Sequence, residues 1–224
     1  AGDSTTTITA SIVHWIIKLL PRMRQAVFFR LRLRLSLQNT GVLPTPVLSL
    51  NLVQRLGGSQ LRLAADQGNV GAQYILGVMH AKGEGVPQDY AVAVRWFRLA
   101  ADQGFAVAQN MLGLMYREGK GVPQDDAQAV SLYRLAVDQG LVDAQNNLGS
   151  MYFNGEGVPQ DYAEAVKWFR LAADQGLAVA QSNLGSKYAK GQGVTQDDAE
   201  AVKWYRLAAD QGFAMGQYNL GFMY

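Results

Sequence analysis

The chain contains no cysteine. That excludes disulfides, thiolate metal sites and a cysteine nucleophile. It has only two histidines, His14 and His80, which leaves little for a histidine-based metal centre. No apolar run reaches the roughly 18–20 residues that a transmembrane helix requires. Acid is scarce at one end: residues 1–60 hold seven basic groups and a single acid, Asp3, a net of +6, whereas residues 61–224 carry 13 basic and 17 acidic groups, a net of −4. The overall +2 therefore averages two unlike segments. It does not point to a nucleic-acid surface on the larger one. What the chain has in quantity is hydrophobic residues, at 49%, which argue for a folded core, and glycine, 24 residues whose placement decides the fold.

The glycines recur. Gly68, Gly104, Gly140, Gly176 and Gly212 lie 36 residues apart, and so do Gly77, Gly113, Gly149, Gly185 and Gly221. Asp66, Asp102, Asp138, Asp174 and Asp210 follow the same period. Residues 69–104 match residues 141–176 at 26 of 36 positions. Four complete units are read, 69–104, 105–140, 141–176 and 177–212, with a partial fifth over 213–224. Each reads as two helices. In the first unit, Ala72, Leu76 and Met79 recur at helical spacing over 70–82. Gly83 and Gly85 end that helix, and Val86-Pro87-Gln88 makes the turn. Asp89 is the N-cap of the second helix, which runs to about Asp102. Asp161 with Glu164, and Asp197 with Glu200, have capping-box spacing. Ala72, Gly77, Ala91, Ala93 and Ala100 permit close helix approach, and Trp96 and Phe97 supply bulk. One such hairpin cannot bury its apolar face alone. The expected fold is therefore all-α: a right-handed α-solenoid of 36-residue helix-turn-helix units with one continuous core.

The units carry Ala144-Gln145, Leu148-Gly149, Met151-Tyr152, then Gly155 to Asp161, then Ala165 to Gly176. This pattern resembles the Sel-one-like repeat, a subclass of the tetratricopeptide-like helical repeats, and the resemblance covers 61–224. It implies a non-catalytic adaptor or scaffold for protein complexes, of the kind met in bacterial signalling, envelope or host-contact settings, with the bacterial cytoplasm or periplasm as the expected compartment. Members with enzymatic claims form a cysteine-rich branch, from which this chain is set apart.

Positions that repeat are explained by folding; specificity belongs to positions that vary along one face. In the first helices these are Tyr74, Ile75 and Val78, then Asn110, Met111 and Leu114, then Asn146, Asn147 and Ser150, then Ser182, Asn183 and Ser186. Within each helix they form one stripe, which by analogy with related solenoids lines the concave surface. It grades from apolar to amide- and hydroxyl-rich, and the expected partner is a protein or peptide segment with an apolar end and a polar end. The opposing reading buries Ile75, Met111 and Leu114 between layers.

Other constellations are weaker. His80 takes the slot of Tyr116, Tyr152, Tyr188 and Tyr224, as a core aromatic substitute. Asp125-Asp126 and Asp197-Asp198 read as an N-cap followed by first-turn charge. Arg98, Arg134, Arg170 and Arg206 each stand four residues before an Asp, the spacing of a solvated helix-face ion pair. Trp96, Trp168 and Trp204 read as core aromatics. Gly83-Glu84-Gly85 lacks the spacing and preceding strand of a phosphate loop. No nucleophile–base pair or metal-ligand cluster stands out, and no cofactor is implied.

Residues 1–60 stand outside the repeat. Ile12 to Leu20 is apolar but interrupted, and Phe29 to Gln38 alternates as a strand would. Three readings stay open: a disordered or adventitious extension, a targeting or membrane-surface element, and a capping element. The abrupt start of the repeat and its broken fifth unit suggest a fragment of a longer protein. The alternative function is a repeat-bearing part of an envelope-associated enzyme whose catalytic portion lies outside this chain.

Overall fold

A computed structural model describes residues 60–224. The apolar and alternating segments at 12–20 and 29–38 lie outside the described residues. After a helical stretch at 60–66, the chain forms α1 (Val70–Lys82), α2 (Tyr90–Asp102), α3 (Ala106–Glu118), α4 (Asp126–Val137), α5 (Val142–Asn154), α6 (Tyr162–Asp174), α7 (Ala178–Lys190), α8 (Asp198–Asp210) and α9 (Ala214–Phe222). Odd-numbered helices are the first helix of each unit and even-numbered helices the second. Each pair packs as a hairpin, and each even helix packs on the odd helix that follows it. The described residues thus build the all-α solenoid that the repeat predicts.

Three local devices set this geometry. The odd helices α1 to α7 end on a left-handed glycine: Gly83 at φ 74°, Gly119 at 64°, Gly155 at 74° and Gly191 at 63°. The even helices begin on an aspartate whose carboxylate accepts a backbone N–H three residues on, Asp89 from Val92, Asp125 from Gln128, Asp161 from Glu164 and Asp197 from Glu200, each at 2.9 Å. The capping boxes are only half formed. The Asp161 N–H donates instead to the Tyr152 carbonyl at 2.9 Å, and Glu164 accepts Lys167 at 2.7 Å. The pair Asp197 and Glu200 behaves alike, with Tyr188 and Lys203 as partners. At the far end of the even helices, Phe105 donates its N–H to the Ala100 carbonyl and Gly104 its own to Ala101. This is a Schellman closure with an apolar residue after the glycine. The same residue opens the next helix, which is why Phe105, Leu141, Leu177 and Phe213 stand where a polar cap would otherwise be, with no side-chain cap bond.

The core runs along the stack. Ala93, Phe97, Ala100 and Ala108 are fully buried, as are Ala129, Tyr133, Ala165 and Ala172, with Phe169 nearly so. A methyl group added at Gly149 would stand 2.9 Å from the Phe169 ring, so glycine is what lets the two helices of a hairpin meet over that ring.

Candidate partner-binding face

Polar side chains tie successive units together along the odd helices. The buried glutamine at the start of three odd helices reaches back: Gln73 donates to the Ala65 carbonyl at 3.0 Å, Gln109 to Ala101 at 3.3 Å and Gln181 to Ala173 at 3.2 Å. The carboxamide oxygens of Gln73, Gln109, Gln145 and Gln181 in turn accept Gln103, Gln139, Gln175 and Gln211 at 2.7–2.8 Å. This ladder recurs in every unit and is structural. Burying an amide requires that its hydrogen bonds be made, and here the repeat itself supplies the partner.

The varying stripe has a second row of amides. Asn147 donates to the Asn110 side-chain oxygen at 2.8 Å, Asn183 to Asn146 at 2.9 Å and Asn219 to the Ser182 hydroxyl at 3.4 Å. Ser150 donates to the Asn146 carbonyl at 3.1 Å. Of the twelve stripe residues, Ile75, Asn110 and Ser182 are buried; Tyr74, Val78, Met111, Leu114, Asn146, Asn147, Ser150, Asn183 and Ser186 are half-buried. Tyr74, Val78 and Met111 pack against the cluster built on Ala93, Phe97 and Leu112. Tyr74 meets Phe105 edge-on, with centroids 5.5 Å apart. Burial, and then the carboxylate of Asp143 two units along, push the Tyr74 phenol above its ordinary value.

Each asparagine carboxamide has two donor hydrogens and an oxygen with two lone pairs. The row uses one donor of Asn147 and Asn183 and one lone pair of Asn110 and Asn146. Because Asn147 and Asn183 also hold units together, replacing them disturbs stability as well as the face.

The structure adds features that sequence spacing did not show. Arg98, Arg134 and Arg206 donate across the unit boundary to the hydroxyls of Tyr116, Tyr152 and Tyr224, at 2.7, 2.8 and 2.5 Å, and Arg170 does the same to Tyr188. These bonds replace the expected pairing with the aspartate four residues on. Only Arg62, whose partner slot holds His80, pairs with its own Asp66, at 3.1 Å. A row of leucines, Leu63, Leu99, Leu135, Leu171 and Leu207, stands about half-exposed on the even-helix side. Its signal, a leucine every 36 residues, is present in the sequence, but recurrence there reads as core. Trp96 is buried, while Trp168 and Trp204 are half-buried. Among the described residues there is no group of three or more His, Asp or Glu able to hold a metal ion, and no helix is long and apolar enough to cross a membrane.

Comparison with known proteins agrees with this geometry. The family model described as Sel1 repeat matches residues 70–105, 106–141, 142–177 and 178–213. The crystal structure of a protective antigen of uropathogenic Escherichia coli, displaying an SLR fold, is 45% identical, with a TM-score of 0.70 over 74% of this chain and 35% of the antigen. This chain thus spans about a third of that protein's length. A Sel1 repeat protein from Oxalobacter formigenes is 32% identical, with a TM-score of 0.67 over 79% of this chain and 74% of its own. No curated protein matches the chain.

Proposed function

This chain belongs to the Sel1 repeat family, whose members are generally protein-interaction scaffolds and generally non-catalytic, and from that premise we propose that it holds an extended segment of a partner protein along the concave face formed by α1, α3, α5 and α7. The observation that carries the proposal is the row of asparagine amides, with hydrogen-bonding capacity left over, on a stripe that is apolar at Ile75, Val78, Met111 and Leu114 and polar at Asn146, Asn147, Ser150, Asn183 and Ser186. An extended segment offers one N–H and one C=O per residue. Side-chain amides can bond both, while the apolar end of the stripe takes a hydrophobic anchor.

A random peptide library displayed on phage and selected against the whole chain supplies a probe. The expected peptides carry an apolar cluster at one end and amide or hydroxyl side chains at the other. Ser150→Lys and Leu114→Lys, which leave the amide row intact, each weaken binding of the selected peptide at least about tenfold, with the melting temperature held as the control. Unchanged affinity in both variants, together with loss on Leu135→Lys or Leu171→Lys, overturns the proposal in favour of the even-helix side.

A further inference from the structure

The first unit breaks the pattern of its successors at one place. At each later boundary an arginine of one even helix, Arg98, Arg134, Arg170 or Arg206, donates to the tyrosine hydroxyl of the following unit. The corresponding pair at the start of the stack is Arg62 and His80. Imidazole is shorter than phenol and leaves Arg62 without that acceptor. The guanidinium instead lies 4.8 Å from the centroid of the Trp96 ring and bonds Asp66. The Nδ1 atom of His80 is buried with no hydrogen-bond partner.

Two more substitutions fall at the same spot. Units three and four carry Glu164 with Lys167 and Glu200 with Lys203, joined at 2.7 and 2.8 Å. The first unit has Val92 and Arg95 at those positions, so the carboxylate is gone and the cation is kept. Together Arg62, His80, Val92, Arg95, Trp96 and Leu99 line a cavity of about 350 Å³ between the 60–66 helix and α2. That is the small end of the range for ligand pockets, about 300–1,000 Å³.

We propose that this cavity binds a carboxylate carried on a small apolar group. Two arginines, Arg62 and Arg95, line it, and the first is already partly neutralised by Asp66. The balance is close to a single positive charge, which suits a monoanion better than a dianionic phosphate. Planar guanidinium forks pair well with carboxylate oxygens. Val92, Trp96 and Leu99 form the apolar walls for the rest of the ligand. The chemistry is met by a free organic acid or by the C-terminal carboxylate of a polypeptide ending in an apolar residue. The site lies on the even-helix side and does not depend on the concave-face proposal.

The test is a nuclear magnetic resonance titration of the whole chain, reading the Trp96 indole N–H signal. Three probes are used: phenylacetate, the peptide acetyl-Gly-Gly-Leu-Phe with a free C-terminal carboxylate, and the same peptide as its C-terminal amide. The expected result is a saturable shift with one or both acids and none with the amide; which acid binds more tightly identifies the source. Arg95→Ser, which installs the residue that the second unit has at Ser131, weakens binding about tenfold or more. His80→Tyr, which restores the repeat's own residue, fills the cavity, gives Arg62 its hydroxyl acceptor and abolishes binding while the chain stays folded. Equal binding of acid and amide, unaltered binding in His80→Tyr, or no saturable shift with either acid up to about 10 mM overturns the proposal.

Discussion

Lys187 occupies the position that methionine holds at Met79, Met115, Met151 and Met223. Its side chain is buried at 8% exposure, and its ammonium sits 3.1 Å from the centroid of the Phe153 ring. Burial first, and then the nearby positive charge of Lys190, lower its pKa to about 8. A lysine whose folded value lies below its unfolded value near 10.5 binds fewer protons when folded. The chain is therefore penalised below pH 8, and the penalty lifts as pH rises from about 8 toward 10.5. The face of Phe153 favours the charged form and offsets part of the cost. Lys187→Met is expected to stabilise the chain at pH 7 by about 1–2 kcal/mol. It should also remove part of the gain in stability between pH 8 and 10. Urea unfolding at pH 7 and pH 9.5 reads both effects. A variant less stable than the parent at pH 7, with an unchanged pH slope, contradicts this. The break in the methionine series is plain in the sequence. Its burial is not, because a lysine on a helix ordinarily extends its flexible stem to solvent.

At the scale of the element, the turns between helices carry more than their local conformation. In units two to four the second glycine of the Gly-x-Gly turn lies against the backbone of the preceding unit: Gly121 against Tyr90, Gly157 against Asp126 and Gly193 against Tyr162. A methyl group at any of them would overlap that backbone, and φ is positive at all three. The glycine closing an even helix differs. Gly140 also has a positive φ, 79°, but nothing stands within 4 Å of an added methyl. Gly140→Ala is expected to cost about 1 kcal/mol, the strain of the left-handed conformation alone. Gly157→Ala is expected to cost about 2–4 kcal/mol, because the unit boundary must shift as well. Equal losses in thermal or urea unfolding would show that the boundary contact is slack. The helices, the glycine stops and the aspartate caps were legible because each is a contest among neighbours in sequence. The half-formed capping boxes and the arginine–tyrosine bonds were not. In both, a spacing argument sees only partners on one helix, while the actual acceptor is the Tyr152 or Tyr188 carbonyl across a turn, or a phenol 18 residues on.

For the whole molecule, repetition made the stack readable and the ligand unreadable. A period of 36 residues fixes which faces meet, and the glutamine ladder from Gln73 to Gln211 is the same bond made again at each unit boundary. A partner, by contrast, is chosen by departures from the repeat. Some departures, such as Ile75, Asn110 and Ser182, are buried in the stack itself, so variation alone does not separate recognition from packing. The His80 break was visible as a missing tyrosine. The cavity it opens depends on Arg62, Arg95 and Trp96 arriving from two other helices, which no single-helix pattern contains.

The claim that the odd helices carry the partner is tested most directly by photo-cross-linking. A photoreactive amino acid is placed singly at Leu114, Ser150, Leu135 or Leu171, and each full-length variant is irradiated with the phage-selected peptide bound. Cross-links at positions 114 and 150, with little at 135 and 171, are the predicted result. Cross-links confined to positions 135 and 171 would contradict it and move the binding surface to the exposed leucine row of the even helices.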